Sequence, residues 1–282
     1  MKTIFFLVVM TMPAIFFSAC KHEDAPTLPR TDIHLDSTAA LGKFLVDKDG
    51  KTLYYFSNDA NGQSSCTGGC STIWPIYYAD SLTTTYGNSL LASDFKTITS
   101  FGAKQTTYKG WPMYYYAPAG VQETAGQTLG EGVGNVWFVA KPNYSITISN
   151  FQLTNQNDIN YLGNYTTGVG RTNYFSDEKG NTLYSFIKDS AFINKSNGNV
   201  NFPIYETDNI TVPSTLDKTL FSVMPYNGKK QLTYKGWPLY YYNGDNFVRG
   251  SNKGFNFPLS QPAGAIWPVA FKDAAAAPRL LP

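Results

Sequence analysis

The sequence predicts an all-β, mainly antiparallel fold made of two tandem hairpin-rich modules, pseudo-symmetric and with few short helices. Three observations carry that expectation. Aromatic residues are abundant, with 20 Tyr, 19 Phe and 5 Trp in 282 residues. They sit in short runs with β-branched residues, punctuated by Gly, Pro and Asn, which is the composition of strands and turns rather than of helices with an apolar stripe. The chain also repeats itself at a spacing of about 130 residues.

Each repeat opens on a hairpin. Phe44-Leu45-Val46-Asp47-Lys48-Asp49-Gly50-Lys51-Thr52-Leu53-Tyr54-Tyr55-Phe56 matches Tyr174-Phe175-Ser176-Asp177-Glu178-Lys179-Gly180-Asn181-Thr182-Leu183-Tyr184-Ser185-Phe186. An apolar strand leads into a turn ending at Gly50 or Gly180, where glycine supplies a positive φ, and an aromatic strand returns. A second hairpin follows in each copy. Tyr108-Lys109-Gly110-Trp111-Pro112-Met113-Tyr114-Tyr115-Tyr116 matches Tyr234-Lys235-Gly236-Trp237-Pro238-Leu239-Tyr240-Tyr241-Tyr242. Closing strands are expected at Val136–Val139 and Ile266–Val269. The copies differ in one motif: Cys66-Thr67-Gly68-Gly69-Cys70 before Trp74-Pro75 has no cysteine counterpart before Phe202-Pro203.

The remaining segments follow from composition. Met1-Lys2, an apolar run from Ile4 to Phe17 and Ser18-Ala19 read as a signal peptide over residues 1–19. The ending Ser18-Ala19-Cys20 resembles the lipobox of bacterial lipoproteins, although Phe17 stands where that pattern prefers Leu. The resemblance implies lipidation of Cys20 and membrane attachment through the lipid. Residues 20–40 are polar and read as a flexible tether. The modules are expected at 41–142 and 161–275, joined by a linker at 143–160 and followed by a tail at 276–282. The acidic pair Glu23-Asp24 resembles surface-export signals of some Gram-negative lipoproteins, so the expected location is the cell envelope, in the outer membrane or at the cell surface.

These residues resemble a bacterial family of secreted repeats of unknown function, described as lipoproteins with a Tyr-x-(Phe/Trp/Tyr)-x-x-Asp motif. Tyr54-Tyr55-Phe56-Ser57-Asn58-Asp59, Tyr184-Ser185-Phe186-Ile187-Lys188-Asp189 and Tyr240-Tyr241-Tyr242-Asn243-Gly244-Asp245 fit the motif, whereas Tyr114-Tyr115-Tyr116 runs to Ala119 and lacks the acid. The resemblance implies location and repeat architecture, because the family has no settled activity.

Several chemistries are excluded. Charge is nearly balanced, 22 basic against 20 acidic residues, so there is no basic face for nucleic acid. Both histidines, His22 and His34, fall in the expected tether. The modules then hold no imidazole for a Ser-His-Asp or Cys-His site, and neither a metal nor a cofactor site is expected.

Three groups of candidate residues remain. Outside the cytoplasm Cys66 and Cys70 should oxidise to each other and pin a local turn, with a redox-active pair beside an exposed Trp74 as the alternative. Tyr54 and Phe56, and likewise Tyr184 and Phe186, share one strand face. Asp59, Asp189 and Asp245 then fall past strand ends, either accepting turn hydrogen bonds or acting as acids or cation ligands. The runs Tyr114 to Tyr116 and Tyr240 to Tyr242, whose alternate rings must face opposite sides of a sheet, are candidates with Trp74, Trp111 and Trp237 for an aromatic face that takes sugar rings, or for packing between copies. The function expected is a non-catalytic envelope lipoprotein, binding or structural, with a carbohydrate or an envelope protein as partner. The alternatives are a redox accessory using the cysteine pair or a bound cofactor, and a hydrolase with paired carboxylates.

Overall fold

The computed structural model describes residues 31–80 and 83–279. The signal segment, Cys20, His22 and the Glu23-Asp24 pair lie outside the described residues. Thirteen strands account for most of the regular structure: β1 (Ile33–Thr38), β2 (Gly42–Asp47), β3 (Tyr54–Phe56), β4 (Phe95–Ser100), β5 (Ala103–Tyr108), β6 (Trp111–Tyr114), β7 (Trp137–Val139), β8 (Thr147–Thr154), β9 (Asn160–Tyr161), β10 (Arg171–Ser176), β11 (Phe221–Tyr226), β12 (Lys229–Tyr234) and β13 (Trp237–Pro238). One short helix, α1 (Gly69–Ile73), and several 3-10 turns complete it. All strand pairs are antiparallel, so the all-β expectation holds. No described helix is long and apolar enough to cross a membrane.

The repeat is visible in the pairing. In the first copy β1 and β2 form a hairpin, and a five-stranded sheet runs β4-β5-β6-β3-β7. The second copy follows the same path, with β8-β10 in place of β1-β2 and β11-β12-β13 in place of β4-β5-β6. Its counterparts of β3 and β7 shrink to single bridges of Tyr184 with Tyr240 and Val269. The opening strand is held alike in both copies: Ile33 N donates to Thr85 O at 3.2 Å, and Ser145 N donates to Thr211 O at 2.9 Å.

Two expected boundaries fall inside these strands. The tether was expected to reach residue 40, but Ile33–Thr38 is β1, and Ile33 is wholly buried. The linker was expected at 143–160, but Thr147–Thr154 is β8, the first strand of the second copy. The cause is the same in both places. A polar sequence becomes a strand because its backbone pairs with a neighbour distant in sequence, and the two opening strands share no sequence motif. His34 therefore lies in β1, so the folded unit contains an imidazole. Its Nδ1 is buried without a hydrogen-bond partner, which leaves it outside any triad. The segment read as a tail is also docked: Ala277 is buried, and Ala191 N donates to Pro278 O at 2.9 Å.

The described residues form one compact unit. A shared core takes residues from both copies, among them Tyr55, Trp111, Phe138, Ile146, Phe175 and Leu232. Each copy keeps a second core of its own, around Trp74 and Trp137 in the first and around Phe202 and Trp267 in the second. The aromatic strands alternate between these layers. Tyr54 and Phe56 face the first copy's own core, while Tyr55 between them faces the shared one.

Candidate functional site

The motif residues converge on two matched clusters, one per copy, built on a stack of three rings. In the first, Trp137 lies parallel to Phe56 at 4.0 Å and to Trp74 at 3.8 Å. In the second, Trp267 lies parallel to Phe186 at 4.2 Å and to Phe202 at 3.8 Å. Tyr114 and Tyr240 meet the middle indole edge-on at 5.1 and 5.2 Å. Tyr116 and Tyr242 tilt against the outer ring at 4.5 and 4.8 Å. Tyr54 and Tyr184 are wholly buried, and Tyr116 and Phe186 are half-buried.

Around each stack, buried tyrosine hydroxyls donate to buried carboxylates. Tyr114 Oη donates to Asp59 Oδ2 at 2.6 Å, and Tyr240 Oη to Asp189 Oδ2 at 2.8 Å. The other oxygen of each acid caps a loop: Ser65 N donates to Asp59 Oδ1 at 2.8 Å and Lys195 N to Asp189 Oδ1 at 2.7 Å. A second node follows the same rule. Tyr184 Oη donates to Asp245 Oδ2 at 2.5 Å, and Gly254 N donates to Tyr184 Oη at 3.2 Å. Its counterpart is Tyr54 Oη donating to Glu123 Oε2 at 2.7 Å, with Gly130 N donating to Tyr54 Oη at 3.2 Å. A Cβ on Gly130 or Gly254 would stand within 2.9 Å of the tyrosine ring, so the node needs glycine there.

Glu123 thus supplies the acid that the sequence motif lacks at Ala119. Sequence reasoning missed it because the acid is recognised by where its oxygen arrives. A longer loop and a longer side chain reach the same hydroxyl. Asp47 and Asp177 were missed too. They accept from Tyr115 Oη at 2.7 Å and Tyr241 Oη at 2.9 Å, and also cap the first turn of each copy. Their recurrence three residues before Gly50 and Gly180 was the available signal.

Burial sets the electrostatics. It pushes the carboxyls of Asp59 and Asp189 up to about 6, against the stabilising hydrogen bonds from tyrosine and backbone. The same desolvation raises Asp245 and Glu123. Tyr54, Tyr114, Tyr184 and Tyr240 are raised far above the usual phenol value, first by desolvation, so each hydroxyl keeps its proton and serves as donor.

Cys66 and Cys70 are joined by a disulfide with Cα atoms 5.3 Å apart. Cys66 is buried in the first copy's core, and Trp74 beside it is 3% exposed, so the exposed Trp of the redox alternative is not there. Trp111 and Trp237 lie outside the stacks, as the first residues of β6 and β13. Trp111 Nε1 donates to Glu178 O at 3.1 Å, and the Arg249 guanidinium sits 4.3 Å from the Trp111 ring centroid. Arg249 Nη1 donates to Lys109 O at 2.9 Å and also to Lys179 O, which ties a turn of each copy together. Its Nε and Nη2 are shielded from solvent without partners, although the residue as a whole is half-buried. Desolvation lowers the guanidinium to about 10.

An open concavity lies elsewhere. A cleft of about 1020 Å³ opens between the copies, lined by the turns around Lys109 and Lys179, by Asn143 to Ser145, and by Tyr205, Tyr241 and Phe247. Asp59, Asp189, Asp245 and Glu123 do not line it. Among the described residues, no group of three or more His, Cys, Asp or Glu side chains is placed to hold a metal ion.

No curated protein and no solved structure matches the chain. Residues 37–77, in the first copy, and 222–256, in the second, match the family described as a secreted repeat of unknown function.

Proposed function

We propose that this chain is a non-catalytic lipoprotein of the cell envelope, anchored through Cys20, and that its two repeats form a binding module whose ligand lies in the cleft between them. The observation that carries this reading is the division of labour between acids and cleft. The recurrent carboxylates are occupied by tyrosine hydroxyls and loop amides inside each copy, which argues against a pair of free acids for glycoside chemistry. The cleft, in contrast, is open and lined by polar and apolar surface in nearly equal parts. Its walls balance Asp94, Asp177, Glu178 and Glu206 against Lys96, Lys109, Lys179 and Arg249, so they favour no net charge in a ligand. At its edge Phe247 is 59% exposed and meets Tyr241 edge-on at 5.3 Å.

An uncharged, polyhydroxylated ligand suits that lining. Hydroxyls find amide and carboxylate partners on the walls, and a flat apolar ring such as Phe247 takes the apolar face of a sugar. The proposed partner is therefore a carbohydrate of the envelope. Titration of the folded module with neutral oligosaccharides tests this: Phe247→Ala should weaken binding at least about tenfold, a loss of about 1.4 kcal/mol, without moving the melting temperature. Equal affinity in the variant sinks the cleft assignment, and release of new reducing ends from the oligosaccharide sinks the non-catalytic one. Replacing Cys20 by Ser should move the protein from the membrane fraction to the soluble fraction. Retention of the unlipidated variant in the membrane removes the anchor.

A further inference from the structure

The surface by which the first copy holds the second recurs on the second copy, where a different segment covers it. In the first copy four features of the β5–β6 turn receive the second copy. Lys109 Nζ donates to Pro142 O at 2.8 Å and to Glu178 Oε2 at 2.6 Å. Trp111 Nε1 donates to Glu178 O at 3.1 Å. Lys109 O accepts from Arg249 Nη1 at 2.9 Å. The open face of Gly110 receives the Arg249 side chain, which a Cβ would meet at 2.9 Å.

The β12–β13 turn offers the same four features; residues 272–277 fill three of them and share the fourth with Ala191 of the second copy itself. Lys235 Nζ donates to Lys272 O and Ala274 O, both at 2.9 Å. Trp237 Nε1 donates to Ala275 O at 2.8 Å. Lys235 O accepts from Ala277 N at 2.9 Å. A Cβ on Gly236 would meet Ala191 Cβ at 3.1 Å and Ala277 Cβ at 3.4 Å. We propose that the segment 272–277 stands in for a following repeat, and that the surface beneath it is a docking surface for the first turn of a second copy of this chain.

The incoming turn would be Asp47-Lys48-Asp49-Gly50, the counterpart of Asp177-Glu178-Lys179-Gly180. Both are folded alike: Asp47 Oδ1 accepts from Asp49 N and Lys51 N, as Asp177 Oδ1 accepts from Lys179 N and Asn181 N. One residue differs in sign. Lys48 occupies the place of Glu178, so a second chain would bring a lysine against Lys235 where the internal interface pairs Lys109 with Glu178. A head-to-tail contact of this kind leaves one surface free on each chain and would propagate into rings or filaments. Three features therefore keep a second chain off this surface: a segment that fills it, a like charge on the element that would enter it, and Ala125 where the second copy carries Arg249.

The test is a chain ending at Ala270 that also carries Lys48→Glu, followed by sedimentation over a concentration series. The intact chain and a full-length Lys48→Glu chain should stay monomeric. The shortened Lys48→Glu chain should grow in mass with concentration, and adding Lys235→Glu to it should reverse that growth. A shortened Lys48→Glu chain that unfolds cooperatively yet remains monomeric at every concentration overturns the proposal. Should shortening prevent folding, a three-repeat chain decides: residues 141–282 are appended after Ala270, presenting a new Glu178 to Lys235. A single unfolding transition with Trp237 shielded from quencher is expected, and separate melting of the appended repeat is the overturning result.

Discussion

The stack Phe56–Trp137–Trp74 of the first copy is flanked by the Cys66–Cys70 disulfide, which closes the loop leading to Trp74. The stack Phe186–Trp267–Phe202 has the same spacing and no covalent link. The loop before Phe202 is instead held by asparagines. Asn194 Oδ1 accepts from Ser196 N at 2.9 Å, Asn199 Oδ1 accepts from Asn201 N at 2.9 Å, and Phe202 N donates to Asn199 O at 3.0 Å. Trp74 N finds its partner in Cys70 O at 2.8 Å. The ring stack and its tyrosine–carboxylate nodes are thus what the repeat must preserve, and the loop that delivers the outer ring can be fixed by either chemistry. A similar exchange occurs between the copies. Ala125 lies against Gly50, and at the equivalent place Arg249 lies against Gly180 and reaches on to Gly110 and Trp111. Where the first copy needs only a small side chain, the second carries the one that joins the two.

The largest effect should come from the middle ring of each stack. Trp137→Ala and Trp267→Ala should each cost about 4 kcal/mol, as truncation of a buried aromatic does. Denaturant unfolding of the two variants gives the comparison directly, and a much smaller cost for Trp267 would break the equivalence. Next come the acids. Asp59→Ala leaves the buried Tyr114 Oη without its carboxylate and Ser65 N without its acceptor, and should cost about 3 kcal/mol; Asp189→Ala should match it. Asn at either place keeps an accepting oxygen and should recover more than half of that loss. A cost near 1 kcal/mol for Asp59→Ala would return this residue to the role of a simple turn cap.

Acidity sharpens the comparison further. The unfolded carboxyls of Asp59 and Asp189 titrate near 3.8 and the folded ones at about 6, so between those values the folded chain binds more protons. Their contribution to stability is fully present below pH 3.8 and is lost as pH rises through about 6. Lowering the pH from 6 to 5 should stabilise the protein by about 2 kcal/mol when both groups act, since each contributes at most about 1.4 kcal/mol per unit. Asp59→Asn should halve that slope. A stability that falls steadily on acidification over the same interval contradicts the assignment. The smallest effect belongs to the disulfide. It closes only a short loop, so Cys66→Ala with Cys70→Ala should cost about 1–2 kcal/mol and leave the fold intact, because the second copy forms its stack without one. Melting with and without reductant checks this.

What could be read from the sequence was whatever short-range chemistry dictates. Hairpins at Gly50, Gly110, Gly180 and Gly236 follow from a turn residue between aromatic runs. The pairing of Tyr54 with Phe56 on one face follows from the two-residue period of a strand. The repeat itself follows from comparing the chain with itself, and so does the equivalence of Trp137 with Trp267. Asp59 was legible as a loop acceptor, because aspartate at a strand end so often has that role.

Only the tertiary structure decided the rest, and in each case the reason is an interaction between residues far apart in the chain. β1 and β8 are polar enough to pass for tether and linker until their backbones pair with β2 and β10. Glu123 joins the second node through a hydroxyl 69 residues away in sequence. Arg249 joins the copies across a separation of 140 residues. The alternation of Tyr114, Tyr115 and Tyr116 said that two faces exist; that both are covered, one by the copy's own core and one by the core it shares, depends on where the second copy docks. A strand's period fixes which side chains point together, but burial depends on what the rest of the chain places opposite them.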